Sequence, residues 1–270
     1  MSRRRTTVAV LGAFATLALA GCGGSDAPCA AKPGSATGTV SAPDDCPLSS
    51  VIAVDATGAI ADRDLAADVS AAAQRAAEHT ITAGGHLRVF VFAGDANAVE
   101  VIYDDDVPTL EQQDETRRGG LEGSLRAALG ATLDSALGVD GSDRKLRARV
   151  RRLTRGGTSD IARAVRNALK ALPARDGAKA MTLVSDGAQA SDQLMLARRI
   201  AAGDSATALG DELGQLLGTA SGIDVLQVVG LGRLPGRVNQ SARRTDELVK
   251  IWTSACEQTG AKHCAMTTEL

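Results

Sequence analysis

The chain has very few aromatic and histidine side chains. Phe, Tyr and Trp together make up 2% of its 270 residues, and it has three histidines. So few rings argue against a surface that stacks on nucleic-acid bases or on sugars. A formal net charge of −2 provides no basic surplus that would attract nucleic acid. The histidines at 79, 86 and 263 lack metal-ligand spacing, so we expect neither a nucleic-acid partner nor a histidine metal centre.

The common enzyme motifs are also missing. The sequence contains neither a Gly-x-Ser-x-Gly nucleophile elbow nor a lysine-bearing phosphate loop. Gly230-Leu-Gly232 lacks the third glycine of a dinucleotide-binding loop. We therefore expect a binding protein rather than an enzyme.

The first residues have the pattern of an export signal. Arg3, Arg4 and Arg5 precede an apolar stretch at 8–20, which is too short and too rich in alanine for a spanning helix. The end of this stretch, Leu19-Ala-Gly-Cys22, resembles the lipobox of bacterial lipoproteins. That resemblance implies cleavage of a signal peptide at 1–21 and a lipid on Cys22. The expected location is the extracytoplasmic face of the cell membrane.

Four further cysteines follow Cys22, namely Cys29, Cys46, Cys256 and Cys264. An even number in an exported chain favours disulfides, and three pairings are possible. The pairs Cys29–Cys46 and Cys256–Cys264 are preferred because each closes a short local loop. A metal site is a weaker alternative because no Cys-x-x-Cys pair is present, and free buried thiols are another.

The chain between the signal and the first strand is rich in Gly, Ser, Ala, Pro and Asp, without apolar periodicity. This composition predicts a tether at 22–48 that joins the anchor to one domain at 49–270. A domain of that length can bury a sizeable core.

Within the domain, apolar runs typical of strands alternate with segments of helical period. Strands are predicted at 51–54, 87–92, 99–103, 181–184, 223–229 and 263–268, and helices near 65–76, 110–153, 161–172, 190–202, 205–219 and 248–256. A turn separates the second and third strands and predicts a hairpin. The pattern predicts a doubly wound α/β fold. Its sheet of six strands is mostly parallel, with one antiparallel edge strand and helices on both faces.

One segment, 144–155, is strongly basic and contains six arginines and a lysine. Two interpretations stay open at this point. The segment is either a docking surface for an acidic partner or a solvated helix face.

Acidic and hydroxyl side chains follow two of the predicted strands and precede one helix. Asp55 and Thr57 follow the first strand, and Asp186 follows the strand at 181–184. Thr158 lies in a Gly-Gly-Thr loop, where it or Ser159 can cap the next helix. Loops at the carboxyl ends of neighbouring strands meet in one crevice. Their oxygens are ligands that Mg²⁺ or Mn²⁺ accepts.

With these residues in these positions, the region from 49 to 270 resembles the von Willebrand factor type A family. That family carries a metal-ion-dependent adhesion site with the pattern Asp-x-Ser-x-Ser, a later Thr and a later Asp. Asp55, Thr57, Thr158 and Asp186 match four of these positions, whereas Ala59 stands where the second Ser would be. The resemblance implies a cation that bridges this site to an acidic residue of a protein partner. The missing oxygen at Ala59 implies weaker cation binding or none.

The expected function is therefore that of a monomeric, membrane-anchored lipoprotein. Its domain would bind an envelope or extracellular protein, or an acidic ligand, through a degenerate metal site. Two alternatives remain. One is a structural envelope module that uses no metal, and the other is a hydrolase such as a phosphatase with Asp55 as its nucleophile.

Overall fold

The protein is described by a computed structural model. It covers residues 29–43, 46–94, 98–109, 115–156, 159–173, 177–220, 222–234 and 240–270.

A six-stranded sheet forms the centre of the molecule. Its strands are β3 (Leu48–Asp55), β4 (Gly85–Phe92), β5 (Val99–Val107), β6 (Ala178–Val184), β7 (Val225–Val229) and β8 (His263–Thr267). They lie in the order β5-β4-β3-β6-β7-β8. All neighbours are parallel except β4 and β5, which form an antiparallel hairpin. The predicted fold class, including the antiparallel edge strand, is confirmed.

Seven helices surround the sheet in the described part of the chain. They are α1 (Arg63–Ala83), α2 (Glu115–Leu137), α3 (Arg144–Leu153), α4 (Ile161–Ala171), α5 (Leu196–Ala201), α6 (Ala206–Leu217) and α7 (Ala242–Thr259). The helical stretch predicted at 110–153 is interrupted at Gly138, whose φ of 85° suits the end of a helix. The segment predicted as helical from 190 is a loop until Leu196.

Helices cover both faces of the sheet because its central strands are apolar on both sides. In β3, Val51 and Ala53 pack into one core with α4, α6 and α7. Ile52 and Val54 point the other way, into a second core with α1, α2 and α3. This alternation follows from the two-residue period of a strand, and all eight residues of β3 are buried.

The strand order reverses direction at β3. The chain runs from β3 to β4 on one side and later returns to β6 on the other side of β3. A crevice therefore opens between the loops that leave β3 and β6, because their connections move to opposite sides. This is the usual position of a ligand site in an open α/β sheet.

The predicted tether is partly folded in the structure. Residues 29–43 include a small hairpin of β1 (Lys32–Pro33) and β2 (Val40–Ser41). Ala31, Val40 and Leu48 share a third apolar cluster with β6 and β7. The side-chain amide of Gln227 donates to the carbonyl of Gly38 over 3.1 Å, which fixes the hairpin to β7.

Both preferred disulfides are present. Cys29 is bonded to Cys46, and Cys256 is bonded to Cys264. The first holds the hairpin segment beside the start of β3, and the second joins α7 to the edge strand β8. Cys22 and the predicted signal peptide lie outside the described residues. Within the described part of the chain, no helix is both long enough and apolar enough to cross a membrane.

Candidate functional site

A cavity of about 390 Å³ lies at the crevice between β3 and β6. Asp55 at the end of β3 and Asp186 beyond the end of β6 both line it. The two strands are direct neighbours, so their carboxyl ends bring the two acids to the same place. Thr57, Ser159 and Ser185 add hydroxyl groups to the same lining.

Asp55 is buried, with 8% of its surface exposed, and both of its carboxylate oxygens accept hydrogen bonds. The hydroxyls of Ser159 and Ser185 donate to Oδ2 over 2.8 and 3.0 Å. The backbone amide of Thr57 donates to Oδ1 over 2.9 Å and closes a turn at the end of β3. Three hydrogen bonds thus hold the side chain of Asp55 in one orientation.

Backbone contacts on both sides fix Ser159 beside Asp55. Its carbonyl accepts from the amide of Ala190 over 2.8 Å, and the amide of Asp160 donates to the carbonyl of Gly94 over 3.0 Å. The loop before α4 is therefore held between the end of β4 and the loop after β6. The predicted cap of α4 is corrected here. Asp160, and not Ser159, accepts from the amide of Arg163 at the first turn.

Asp186 lies where a negative charge is costly. Burial raises its pKa from 3.8 to about 6, the charge of Asp55 adds to the rise, and the backbone amide of Ala188 opposes it. That amide donates to Oδ1 over 2.8 Å. Arg233 also lines the cavity, but among the described residues no ion pair joins a basic side chain to Asp55 or Asp186. Two carboxylates at the end of one cavity favour the binding of a cation or a proton.

Thr57 and Ala59 lie on the loop that follows Asp55. The hydroxyl oxygen of Thr57 is shielded from solvent and has no hydrogen-bond partner among the described residues. An unsatisfied buried hydroxyl is uncommon because it costs free energy, which suggests that a ligand uses it. Ala59 is 2% exposed, lines the same cavity and offers no side-chain oxygen.

Gln189 links the loop after β6 to the start of α4. Its side-chain oxygen accepts from the amide of Ala162 over 2.8 Å, and its nitrogen donates to Asp160 and Ser191, both over 3.0 Å. Gln189 is 1% exposed, so these bonds are shielded from water. This residue holds the two loops of the cavity together.

The walls of the cavity are largely apolar, in contrast to its acidic floor. Leu65 and Val69 from α1 form one side, and Met195, Ala197 and Leu270 contribute further apolar surface. Met195 is 42% exposed at the rim. A ligand would therefore meet carboxylates at the base and apolar contacts around it.

Three of the four predicted site residues line this cavity, namely Asp55, Thr57 and Asp186. Thr158 lies outside the described residues, and the described hydroxyl next to it belongs to Ser159. Ser159 belongs to the loop at 157–159 that is predicted to border the crevice, whereas Ser185 and Gln189 are not among the predicted site residues. Ser185 directly follows a predicted strand, which is a usable signal, whereas nothing in the local pattern marks Gln189 as buried.

No cluster of three or more His, Cys, Asp or Glu suited to a metal occurs among the described residues. The described lining of the cavity holds only two side-chain carboxylates, and its other side-chain oxygens are the hydroxyls of Thr57, Ser159 and Ser185 and the amide oxygen of Gln189, so it contains no such cluster.

Comparison with known proteins identifies no family. No family model matches the chain, and no curated protein matches it. Among solved structures, the chain is similar to proximal thread matrix protein 1 from the mussel byssus, with 12% identity and a TM-score of 0.36. The match covers 83% of this chain and 45% of that one, so the chain spans less than half of that protein's length. A likeness at this level carries no argument about function.

Proposed function

We propose that the domain is of the von Willebrand factor type A kind and binds a protein partner through a divalent cation. The partner would supply an acidic side chain, and Mg²⁺ or Mn²⁺ would be the ion. The observation that carries this proposal is the meeting of Asp55 and Asp186 in one cavity at the reversal of strand order. The protein would be anchored by lipid at Cys22 and would act on the extracytoplasmic face of the membrane.

The side chains around the cavity fit such a cation. Asp55 and Asp186 provide carboxylates, and the buried hydroxyl of Thr57 lacks a hydrogen-bond partner among the described residues. Hard oxygen ligands of this kind suit Mg²⁺ and Mn²⁺, which keep several waters when bound. Ser159 and Ser185 orient Asp55 through hydrogen bonds, which is the usual role of residues behind a metal ligand.

Ala59 limits the affinity of this site. It stands in the loop after β3 where a hydroxyl would add one more ligand, and water would have to replace that oxygen. We expect affinity lower by about tenfold or more than that of a complete site, which corresponds to about 1.4 kcal/mol or more of binding free energy. The cation would supply positive charge shared between the two proteins, and no bond would be made or broken.

The geometry of Asp55 supports binding over catalysis. Both of its oxygens already accept hydrogen bonds, and the side chain is almost completely buried. A nucleophilic carboxylate must move onto the substrate, which these hydrogen bonds oppose, whereas a cation needs only the second lone pair of Oδ1, which accepts a single hydrogen bond. The metal-independent module remains the second candidate because Ala59 removes a ligand oxygen.

Titration of Mg²⁺ and Mn²⁺ into the full-length protein, with thermal unfolding as the readout, tests this proposal. A ligand that binds the native state raises the melting temperature as its concentration exceeds Kd. We expect this rise in the wild type and in Asp192→Asn, a matched change at an exposed residue of the same loop. It should be absent in Asp186→Asn.

Three outcomes decide between the candidates. A melting temperature that ignores both metal and chelator in the wild type would favour the metal-independent module. Turnover of a phosphoester that is lost in Asp55→Asn would favour the hydrolase. Capture of an envelope protein that requires the cation and is lost in Asp186→Asn would support the bridge.

A further inference from the structure

A second, larger cavity of about 690 Å³ lies beside the loop that carries Ala59. Three arginines line it, namely Arg63 at the start of α1 and Arg147 and Arg151 on α3. The two arginines of α3 are four residues apart and therefore lie on the same helix face. The turn from Leu137 to Gly141 completes the lining.

These three arginines differ from others on the same surface because they have no acidic partner among the described residues. Arg149, also on α3, forms an ion pair with Glu100 at 2.8 Å. Arg126 on α2 is paired with both Glu78 and Glu122. Arg149 and Arg126, which do not line the cavity, are thus neutralised by neighbouring acids, whereas the three arginines that line it form no ion pair with any described residue.

The side chain of Arg147 is fixed by packing, but its Nε donor makes no hydrogen bond to a described residue. Its guanidinium packs over Gly138, where an added Cβ would come within 2.6 Å of Nε. Nε is shielded from solvent and has no hydrogen-bond partner in the described part of the chain. A donor that is already desolvated and fixed loses little on binding an anion.

The acid in this lining is already engaged by other groups. The carboxylate of Asp140 accepts from the hydroxyl of Ser135 over 2.7 Å and from the hydroxyl of Ser142 over 3.0 Å. These hydrogen bonds, the one from Ser135 first, lower the pKa of Asp140 and keep it ionised. The cavity therefore keeps a positive surplus of three guanidinium groups against one carboxylate.

We propose that Arg63, Arg147 and Arg151 form a binding site for the carboxylates of an acidic polypeptide segment. Guanidinium groups bind carboxylates through paired, charge-assisted hydrogen bonds. The site is concave, which suits protruding side chains better than the flat surface of an anionic membrane. It requires no cation, so it is independent of the proposed metal bridge.

The position of this site allows one partner to use both cavities. Ala59 lines the acidic cavity, and the next residue, Ile60, lines the arginine cavity. A single loop thus separates them. An acidic partner that reached the cation site could place further carboxylates on the arginines. This would also explain why the basic segment at 144–155 is more than a solvated helix face.

The test measures binding of a fluorescent oligoglutamate peptide to the full-length protein by anisotropy, with chelator present throughout. The double variant Arg147→Gln/Arg151→Gln removes two of the three guanidinium groups. Its matched control, Arg144→Gln/Arg152→Gln, removes the same charge from exposed positions of the same helix that do not line the cavity. We expect the first to weaken binding roughly tenfold and the control to change it less than about twofold. Circular dichroism verifies that both variants fold.

Equal loss of affinity in both double variants would show attraction by net charge alone and would overturn the proposal. The proposal would also be overturned if the peptide did not bind, or if the protein bound phosphatidylglycerol vesicles in preference to the peptide. Peptide binding that survives Arg147→Gln/Arg151→Gln but needs Mn²⁺ and Asp186 would assign the peptide to the acidic cavity instead. Conversely, a protein that ignores metal but binds the peptide through the arginines would refute only the metal bridge.

Discussion

At the scale of single residues, Asp186 is the side chain whose charge matters most for the site. Burial and the neighbouring charge of Asp55 raise its pKa to about 6, so the folded protein binds its proton more tightly than the unfolded chain does. The free energy of unfolding of the metal-free protein should therefore fall as pH rises from about 4 through about 6. At neutral pH the ionised carboxylate destabilises the fold by about 2–3 kcal/mol.

Asp186→Asn should remove this cost while keeping the acceptor for the amide of Ala188. In chelator at about pH 7, we expect the variant to be more stable than the wild type by about 2 kcal/mol. The gain in stability should disappear near pH 3.5, because Asp186 is then mostly protonated in both the folded and the unfolded wild type. Urea unfolding at the two pH values measures this difference.

Asp192→Asn provides the control, since Asp192 is exposed in the same loop. It should change stability by less than about 0.5 kcal/mol at either pH. If Asp186→Asn were no more stable than the wild type at neutral pH, Asp186 would not bear a buried charge.

At the scale of elements, the side chain of Gln189 links the loop after β6 to the start of α4 through hydrogen bonds. It makes three side-chain hydrogen bonds inside the protein. Gln189→Leu keeps a similar volume but leaves the amide of Ala162 and the carboxylate of Asp160 without this partner. We expect a loss of roughly 2–3 kcal/mol of stability because buried groups lose their partners.

The same change in Gln193, an exposed residue of the same loop, is the control and should have little effect. Chemical denaturation of both variants gives the comparison. A Gln189→Leu protein as stable as Gln193→Leu would mean that the loops around the cavity are held by backbone contacts alone.

The sequence predicts the elements around the site better than it predicts the contacts between them. The apolar runs of β3 and β6 mark the two central strands because both of their faces are buried. Asp55 and Asp186 could be found because they stand at the ends of these runs. Gln189 could not, because a polar residue in a loop gives no periodic signal before its partners on α4 are known.

Local features also explain where the predicted elements differ from the observed ones. Gly138 ends α2 because its positive φ of 85° breaks the helix. The helical composition of 110–153 does not reveal this break. The hairpin at 29–43 gains its order from Cys46, Leu48 and the strands beneath it. That stabilisation comes from distant parts of the chain, so the polar composition of the segment conceals it.

At the scale of the whole molecule, the Cys29–Cys46 disulfide and the acidic cavity lie at opposite ends of β3. Cys29 is bonded to Cys46, two residues before β3 begins, whereas the acidic cavity lies where β3 ends. An anchor at Cys22 would therefore hold the protein from the end remote from the cavity. The site would face away from the membrane, towards a partner.

Cys22→Ser should consequently change membrane attachment without changing the site. We expect the wild type to enter the detergent phase on phase separation and the variant to remain in the aqueous phase. Both should respond equally to Mn²⁺ in thermal unfolding. Identical partition of the two proteins would refute the lipid anchor, and a variant that lost its metal response would refute the separation of anchor and site.

The divalent-cation site proposed in the cavity between β3 and β6 lacks one ligand at Ala59. Calorimetric titration of Mn²⁺ into the wild type, Ala59→Ser and Ala61→Ser tests this claim most directly. Ala61 is an exposed residue of the same turn, which makes it a matched control.

We expect Ala59→Ser to bind Mn²⁺ about tenfold or more tightly than the wild type, because the new hydroxyl replaces a water as a ligand. Ala61→Ser should match the wild type. Equal behaviour of all three proteins, with no heat from the site in any of them, would contradict the claim and leave Asp55 and Asp186 without a cation to hold.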